Sequence, residues 1–226
     1  MLFAIDIDGT IAGTDQGREY AHYLNRVLGL GMSEEKVAAF SSYREFAFSA
    51  EVQAFGAVSQ ANQDRYMEAL ELAQHDAEVQ RASLPLPGAV EGVTDLSTYG
   101  RIIYVTCRYA SSRELSQEWL AQYGFPNPEQ VFTCERFHHK FVEAQKNAFA
   151  DEPIVLIDDH AEDIVKTFRK LVKEYYQVAK SVYGRFGLVA FGTDKAPTVP
   201  NQLRIPMLAL PSWEKAEVQQ LIGIVL

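Results

Sequence analysis

Five short apolar runs, each parted from the next by a long intervening stretch, constrain this 226-residue chain more than any other feature. The runs are Leu2–Ile7, Arg101–Thr106, Gln130–Thr133, Pro153–Ile157 and Phe186–Phe191. Continuous apolar runs of this length suit strands covered on both faces. The stretches Ser111–Tyr123, His138–Ala150 and His160–Val182 change to a helical period. In the last of them Ile164, Phe168, Leu171, Tyr175 and Val178 recur every three or four residues. Strands alternating with helices indicate βαβ units, and hence an α/β chain whose parallel sheet carries helices on both faces. From Thr193 the tail adds a Pro-rich loop, a strand near Ile205–Leu208 and a last helix from Ser212.

Residues 14–84 break that rhythm. They hold no proline and no convincing strand, but two helical stripes: Tyr20, Leu24 and Val27, then Tyr66, Leu70, Ala73 and Ala77. The expected organisation is a core of residues 1–13 and 85–226 with an all-helical insertion at 14–84. Gly13 bounds the insertion on one side and Leu84-Pro85-Leu86-Pro87-Gly88, a hinge-like stretch, on the other.

Charge narrows the partners. The chain carries 21 Lys and Arg against 30 Asp and Glu, a formal −9. The insertion has six against eleven, a formal −5 over residues 14–84. Long-range repulsion therefore opposes polymeric nucleic acid and anionic lipid, while a small anion is still bound where a metal or a local cation reverses the sign. No apolar run approaches the roughly 20 residues of a membrane span. The first residues lack the basic region of a signal peptide, and Leu2 already opens an apolar strand. Cys107 and Cys134 are too few for a disulfide framework and read as buried free thiols. A cytoplasmic protein is expected.

The polar residues fall where chemistry is expected. Asp6 and Asp8 end the first run, Thr106 the second, Lys140 follows the third, and Asp158 and Asp159 end the fourth. Open α/β sheets bind their ligands at these carboxyl ends. Period 2 lets Asp6 and Asp8 project to one side. Two like charges 4 Å apart repel by about 4 kcal/mol at an effective dielectric of about 20. Such a cluster needs a proton or a cation, and hard carboxylate oxygens suit Mg²⁺.

Phe3-Ala4-Ile5-Asp6-Ile7-Asp8-Gly9-Thr10 resembles the DxDGT signature of the haloacid dehalogenase (HAD) superfamily. Thr106, Lys140 and the Asp158-Asp159 pair follow in the superfamily's order. The resemblance spans residues 1–13 and about 85–192. It implies a Rossmann-like core with an inserted helical cap, and a Mg²⁺-dependent phosphatase acting on a small phosphomonoester. Asp6 is then the nucleophile, forming an aspartyl-phosphate, and a metal ligand. Asp8 is the general acid and base, with its backbone carbonyl on the metal. Thr106 and Lys140 hold the phosphoryl oxygens, Asp158 binds Mg²⁺, and Asp159 binds it through water or orients Lys140.

Several alternatives stand beside these roles. Lys146 rivals Lys140, which is preferred as nearer the sheet edge. Asp159-His160-Ala161-Glu162 also reads as a capping box. Asp163 is an outer-shell acid or a solvated helix residue. His138-His139 reads as an ordinary helix start. Thr106-Cys107-Arg108 with Ile157-Asp158-Asp159 resembles the T-x-R and I-D-D variants of deoxyribonucleotidases and polynucleotide 3′-phosphatases. That makes Arg108 either a phosphate or substrate contact or a surface arginine, and tilts the substrate toward a nucleotide. A polynucleotide 3′-phosphatase and a non-catalytic phosphate-binding protein on the same fold are the competing functions. Dehalogenases lack an acid at the position of Asp8, and phosphonate hydrolases need a cap lysine, where only Lys36 is available.

Overall fold

The structure, a computed structural model, describes residues 1–13, 16–40, 43–73, 75–166, 184–196 and 205–225. It divides into two compact units, Gly13–Leu84 and the remainder, Met1–Ala12 with Pro85–Leu226. The smaller unit is helical: α1 (Gln16–Leu28), α2 (Glu34–Ala38), α3 (Tyr43–Ala47), α4 (Ala50–Val58), α5 (Gln60–Ala73) and α6 (Ala77–Ala82). Ala21, Leu24, Leu28, Val37, Phe46, Val52 and Ala69 form its core. Ser33, Ser49 and Asp76 cap α2, α4 and α6 by accepting N–H groups that a helix start leaves unpaired. The stripe expected from Tyr66 to Ala77 stops at Ala73, because Asp76 caps a new helix and leaves Ala77 exposed. Val27 is exposed as well, so Ala21, Leu24 and Leu28 carry the buried face of α1.

The larger unit holds a six-stranded sheet in the order β3-β2-β1-β4-β5-β6. Its strands are β1 (Leu2–Ile5), β2 (Arg101–Thr106), β3 (Val131–Thr133), β4 (Ile154–Asp158), β5 (Phe186–Phe191) and β6 (Met207–Leu210). Every pairing is parallel. Its helices are α7 (Ala89–Ser97), α8 (Arg113–Tyr123, after a 3₁₀ turn at Ala110–Ser112), α9 (His139–Asn147) and α10 (Lys215–Val225). Residues 161–166 are also helical. The rest of the helix expected to Val182, with Phe168, Leu171, Tyr175 and Val178, lies outside the described residues, as do residues 197–204 of the Pro-rich loop. Helix α7 was not expected, and β6 begins two residues later than the sequence suggests.

Period 2 sorts each strand onto two cores. Phe3, Ile5, Ile102, Tyr104, Val155 and Ile157 pack with α7, α8 and α10 through Val93, Trp119, Leu120 and Val218. Leu2, Ala4, Ile103, Val105, Ile154 and Leu156 pack on the other face with Phe141, Val142 and Ala144 of α9. A doubly covered sheet explains why the strands read as unbroken apolar runs. Among the described residues no helix is long and apolar enough to cross a membrane.

Candidate active site

The same sorting places the acids. Asp6 continues the Leu2–Ala4 row and Asp158 the Ile154–Leu156 row, so both meet the face that α9 covers. Lys140, in the first turn of α9, is 1% exposed. Its Nζ lies 2.9 Å from Asp6 Oδ1 and 2.6 Å from Asp158 Oδ2. The other Asp158 oxygen accepts the His160 N–H at 2.8 Å. Burial pushes the Asp6 carboxyl well above its ordinary pKa; Lys140 pulls it back, and Asp158 and Asp8 push it further up. Burial also works against the Lys140 ammonium, but the Asp6 and Asp158 charges outweigh it and hold Lys140 well above its usual value.

Beyond Ile5 the first strand gives way to a turn, shorter than the expected Leu2–Ile7. Asp6 N still donates to Ile157 O at 2.9 Å, but Ile7 O then collects the N–H groups of Thr10, Ile11 and Ala12. Gly9 makes that turn at φ +77°, and a Cβ there would lie 2.3 Å from Asp159 Oδ2. Glycine is thus required twice, for its backbone angle and for the close approach of an acid. Thr10 secures the approach: its hydroxyl donates to Asp159 Oδ1 at 3.3 Å and accepts the Asp159 N–H at 3.1 Å. Its carbonyl accepts the Trp213 indole N–H at 2.6 Å. Asp159 therefore serves Thr10 rather than capping the following helix as the sequence suggests.

Asp6, Asp158 and Asp159 each offer an oxygen, and these oxygens all lie within 4.8 Å of one another. Asp6, Asp8, Asp158 and Asp159 against Lys140 and Arg108 leave a formal deficit of two positive charges. An all-oxygen donor set with that deficit fits a hard divalent cation such as Mg²⁺.

The Asp8 carboxylate is not in this cluster. Its two oxygens take a fork from Arg108, with Nε to Oδ2 at 2.8 Å and Nη2 to Oδ1 at 2.6 Å. The third Arg108 nitrogen, Nη1, donates to Ser116 Oγ at 2.9 Å, and the Ser116 hydroxyl in turn donates to Ser112 O at 2.9 Å. Thr106 is buried at the end of β2 and its Oγ1 accepts the Arg108 N–H at 3.2 Å. Arg108 is thus buried, not a surface arginine. Lys146 points elsewhere: it is exposed and pairs with Glu143 at 2.7 Å. Asp163 is half exposed and pairs with Lys166 at 3.0 Å. His138 and His139 begin α9.

Sequence reasoning did not single out Thr10 for a task, nor Ser112, Ser116 and Trp213. The Thr of the DxDGT string was the available signal for the first. Cys107 and Cys134, expected as buried free thiols, are both free, with Cys134 buried and Cys107 only half-buried. Their Sγ atoms lie 3.5 Å apart.

No family model matches the sequence, and no curated protein sequence matches it. Solved structures do. A haloacid dehalogenase-like hydrolase from Streptococcus pneumoniae aligns over 100% of this chain and 98% of its own, with a TM-score of 0.57 and 12% identity. A HAD family hydrolase from Deinococcus radiodurans, solved with bound phosphate and sodium, aligns over 99% and 95% with a TM-score of 0.51 and 14% identity. A HAD-hydrolase from Bacillus subtilis, bound to magnesium, aligns over 99% and 97% with a TM-score of 0.52 and 15% identity. The chain has the HAD-hydrolase fold.

Proposed function

We propose that this protein is a phosphatase of the HAD type that hydrolyses small soluble phosphomonoesters with Mg²⁺. One observation carries the reading: a buried carboxylate, Asp6, at the carboxyl end of the central strand, shares Lys140 with Asp158 beside Asp159. Structural neighbours of the same fold that hold phosphate or magnesium support it.

In this reading Asp6 attacks phosphorus and carries the phosphoryl group as an aspartyl-phosphate. Lys140 and Thr106 steady the phosphoryl oxygens. Asp6, Asp158 and Asp159, with the Asp8 backbone carbonyl, would hold the metal. Mg²⁺ supplies, when bound, a Lewis acid that offsets phosphoryl charge. Asp8 protonates the leaving alcohol and later takes a proton from the water that frees phosphate. The Arg108 fork takes one lone pair on each Asp8 oxygen and leaves the others for the proton that Asp8 delivers, so the acid is held in orientation while it acts. A phosphoryl anion draws on the same Arg108 charge. A charge of −9 overall and −5 over residues 14–84 favours substrates with a single phosphate over nucleic-acid polymers. The T-x-R and I-D-D variants favour a nucleotide among them.

Hydrolysis of p-nitrophenyl phosphate with and without chelator tests the reading. Activity is expected with Mg²⁺, lost in EDTA and restored by added Mg²⁺. Full activity after exhaustive chelation overturns the metal role. Phosphate tightly bound but never released from any monoester tested overturns the enzyme in favour of a binding protein. A higher kcat/KM on a 3′-phosphorylated oligonucleotide than on a nucleoside monophosphate overturns the small-substrate assignment.

A further inference from the structure

Strands β2 and β3 end alike. Val105-Thr106 runs into Cys107, and Phe132-Thr133 runs into Cys134. The two strands pair in parallel with Thr106 opposite Thr133, so the next step along each sets Cys107 beside Cys134. Cys134 N donates to Thr106 O at 2.9 Å, which carries the ladder onto the cysteines. Both side chains leave the sheet on the face that α9 covers. Their Sγ atoms are 3.5 Å apart, with both thiols free.

Neighbouring strands lie about 4.8 Å apart. That spacing falls within the roughly 4.4–6.8 Å between Cα atoms that a disulfide spans. From a separation of 3.5 Å, a bond of about 2.05 Å needs only about 1.5 Å of closure between the sulfurs. We propose that Cys107 and Cys134 are a redox-active dithiol that peroxide closes into a disulfide, clamping the segment that carries Thr106 and Arg108.

The environment separates the two roles. Cys107 is the more accessible sulfur, and Cys134 is buried. The hydrogen bond shared with Cys134 lowers the Cys107 pKa, with help from the Lys140 charge and against burial. The same contact, with burial, raises that of Cys134. Cys107 is thus the attacking thiol and Cys134 the resolving one. The Cys107 thiolate attacks one peroxide oxygen, the O–O bond breaks, and the leaving oxygen departs as water or an alcohol. The Cys134 sulfur then attacks the sulfenic sulfur and expels hydroxide, which leaves as water with the Cys134 proton. The two thiols lose two electrons and the peroxide gains them.

Closure also reaches the site. Thr106 O accepts from Cys134 N and lies 3.4 Å from Cys134 Sγ, whose one proton is divided between this carbonyl and Cys107, and disulfide formation removes it. Thr106 and Arg108 flank the sulfur that moves.

Reduced full-length protein treated with hydrogen peroxide, then alkylated and weighed intact, tests the dithiol. The expected product has lost two hydrogens, carries no alkyl label, is monomeric and returns to two labels after dithiothreitol. Cys134→Ser should stop at a sulfenic acid that dimedone traps on Cys107. Two alkylatable thiols surviving peroxide, or a disulfide between chains, overturns the proposal. The link to the site rests on the phosphatase reading. There the oxidised protein should lose about tenfold or more in kcat/KM, as small displacements at a site do, and Cys107→Ser/Cys134→Ser should be indifferent to peroxide. Full activity of the disulfide form overturns the clamp. A reduced protein with no hydrolytic activity overturns the phosphatase reading and leaves the mass result to decide the dithiol.

Discussion

Lys140 and Arg108 both neutralise acids of the same DxDGT string, and they do so in opposite ways. The Lys140 ammonium is a point charge shared between two buried carboxylates, and Asp6 beneath it is about 5% exposed. Arg108 gives a flat fork to one carboxylate, and Asp8 beneath it is 39% exposed. A shared lysine fixes charge and leaves orientation open; a fork fixes orientation. The two acids differ by two residues in sequence, yet one sits in a dry charge knot and the other at an open, steered position. The nucleophile and the proton carrier proposed above need just that difference.

The largest expected effect comes from the knot. Asp6→Asn should cut turnover by at least about 10⁴-fold, as loss of a nucleophile does, and should trap no phosphoenzyme. It also removes one of three crowded acids. Thermal unfolding in chelator should therefore be no lower than in the parent protein, and a clear loss of stability would show that Asp6 is structural. Lys140→Met should come next. It leaves Asp6 and Asp158 buried without their cation, a break that costs about 3–5 kcal/mol. Denaturant unfolding should show the loss in chelator and its partial recovery with Mg²⁺; equal stability with and without the metal would break the shared-charge picture.

The fork is expected to matter less, and selectively. Arg108→Lys keeps the charge and loses the two-point grip on Asp8. Turnover should fall by up to about 10²-fold on alkyl phosphates. On p-nitrophenyl phosphate, whose leaving group needs little protonation, the fall should be smaller. Equal losses on both substrates would make Arg108 a phosphate contact only. The smallest effect belongs to the outer layer. Thr10→Val removes the hydroxyl that seats Asp159 and should weaken Mg²⁺ binding by about 10–100-fold. Saturating Mg²⁺ should restore the rate, and an unchanged metal titration would free Asp159 from the metal's surroundings.

How much of this was legible in the sequence follows from what each residue depends on. Strand-end residues were legible because unbroken apolar runs announce buried strands, and the polar residue that ends each run marks the ligand edge. Lys140 against Lys146 was not decidable from spacing alone, since the register of α9 decides which lysine faces the sheet. Arg108 reads equally as a phosphate contact or a loop arginine in the sequence because its partners, Asp8 and Ser116, lie 100 residues before it and 8 after it. Helix α7 was missed because Gly92, Thr94 and Ser97 are poor helix formers. Tertiary packing overrides them: Trp213 lies so close that a Cβ on Gly92 would meet its ring at 2.6 Å. The cysteine pair needed both strand ends and the pairing of β2 with β3, which no local pattern reveals.

The position of β1 at the middle of the sheet has a consequence for the chain as it is made. β1 pairs with β2 on one side and β4 on the other, and β4 follows it by about 150 residues. At about 5–20 residues per second, β1 waits on the order of ten to thirty seconds for its second neighbour. Leu2-Phe3-Ala4-Ile5 is an apolar segment open on an edge for that time. Asp6 and Asp8 stand directly behind it, where charged residues discourage an exposed strand from pairing with another chain. The two acids are thus placed to keep the nascent strand from pairing with another chain, a consequence separate from any chemistry proposed for them.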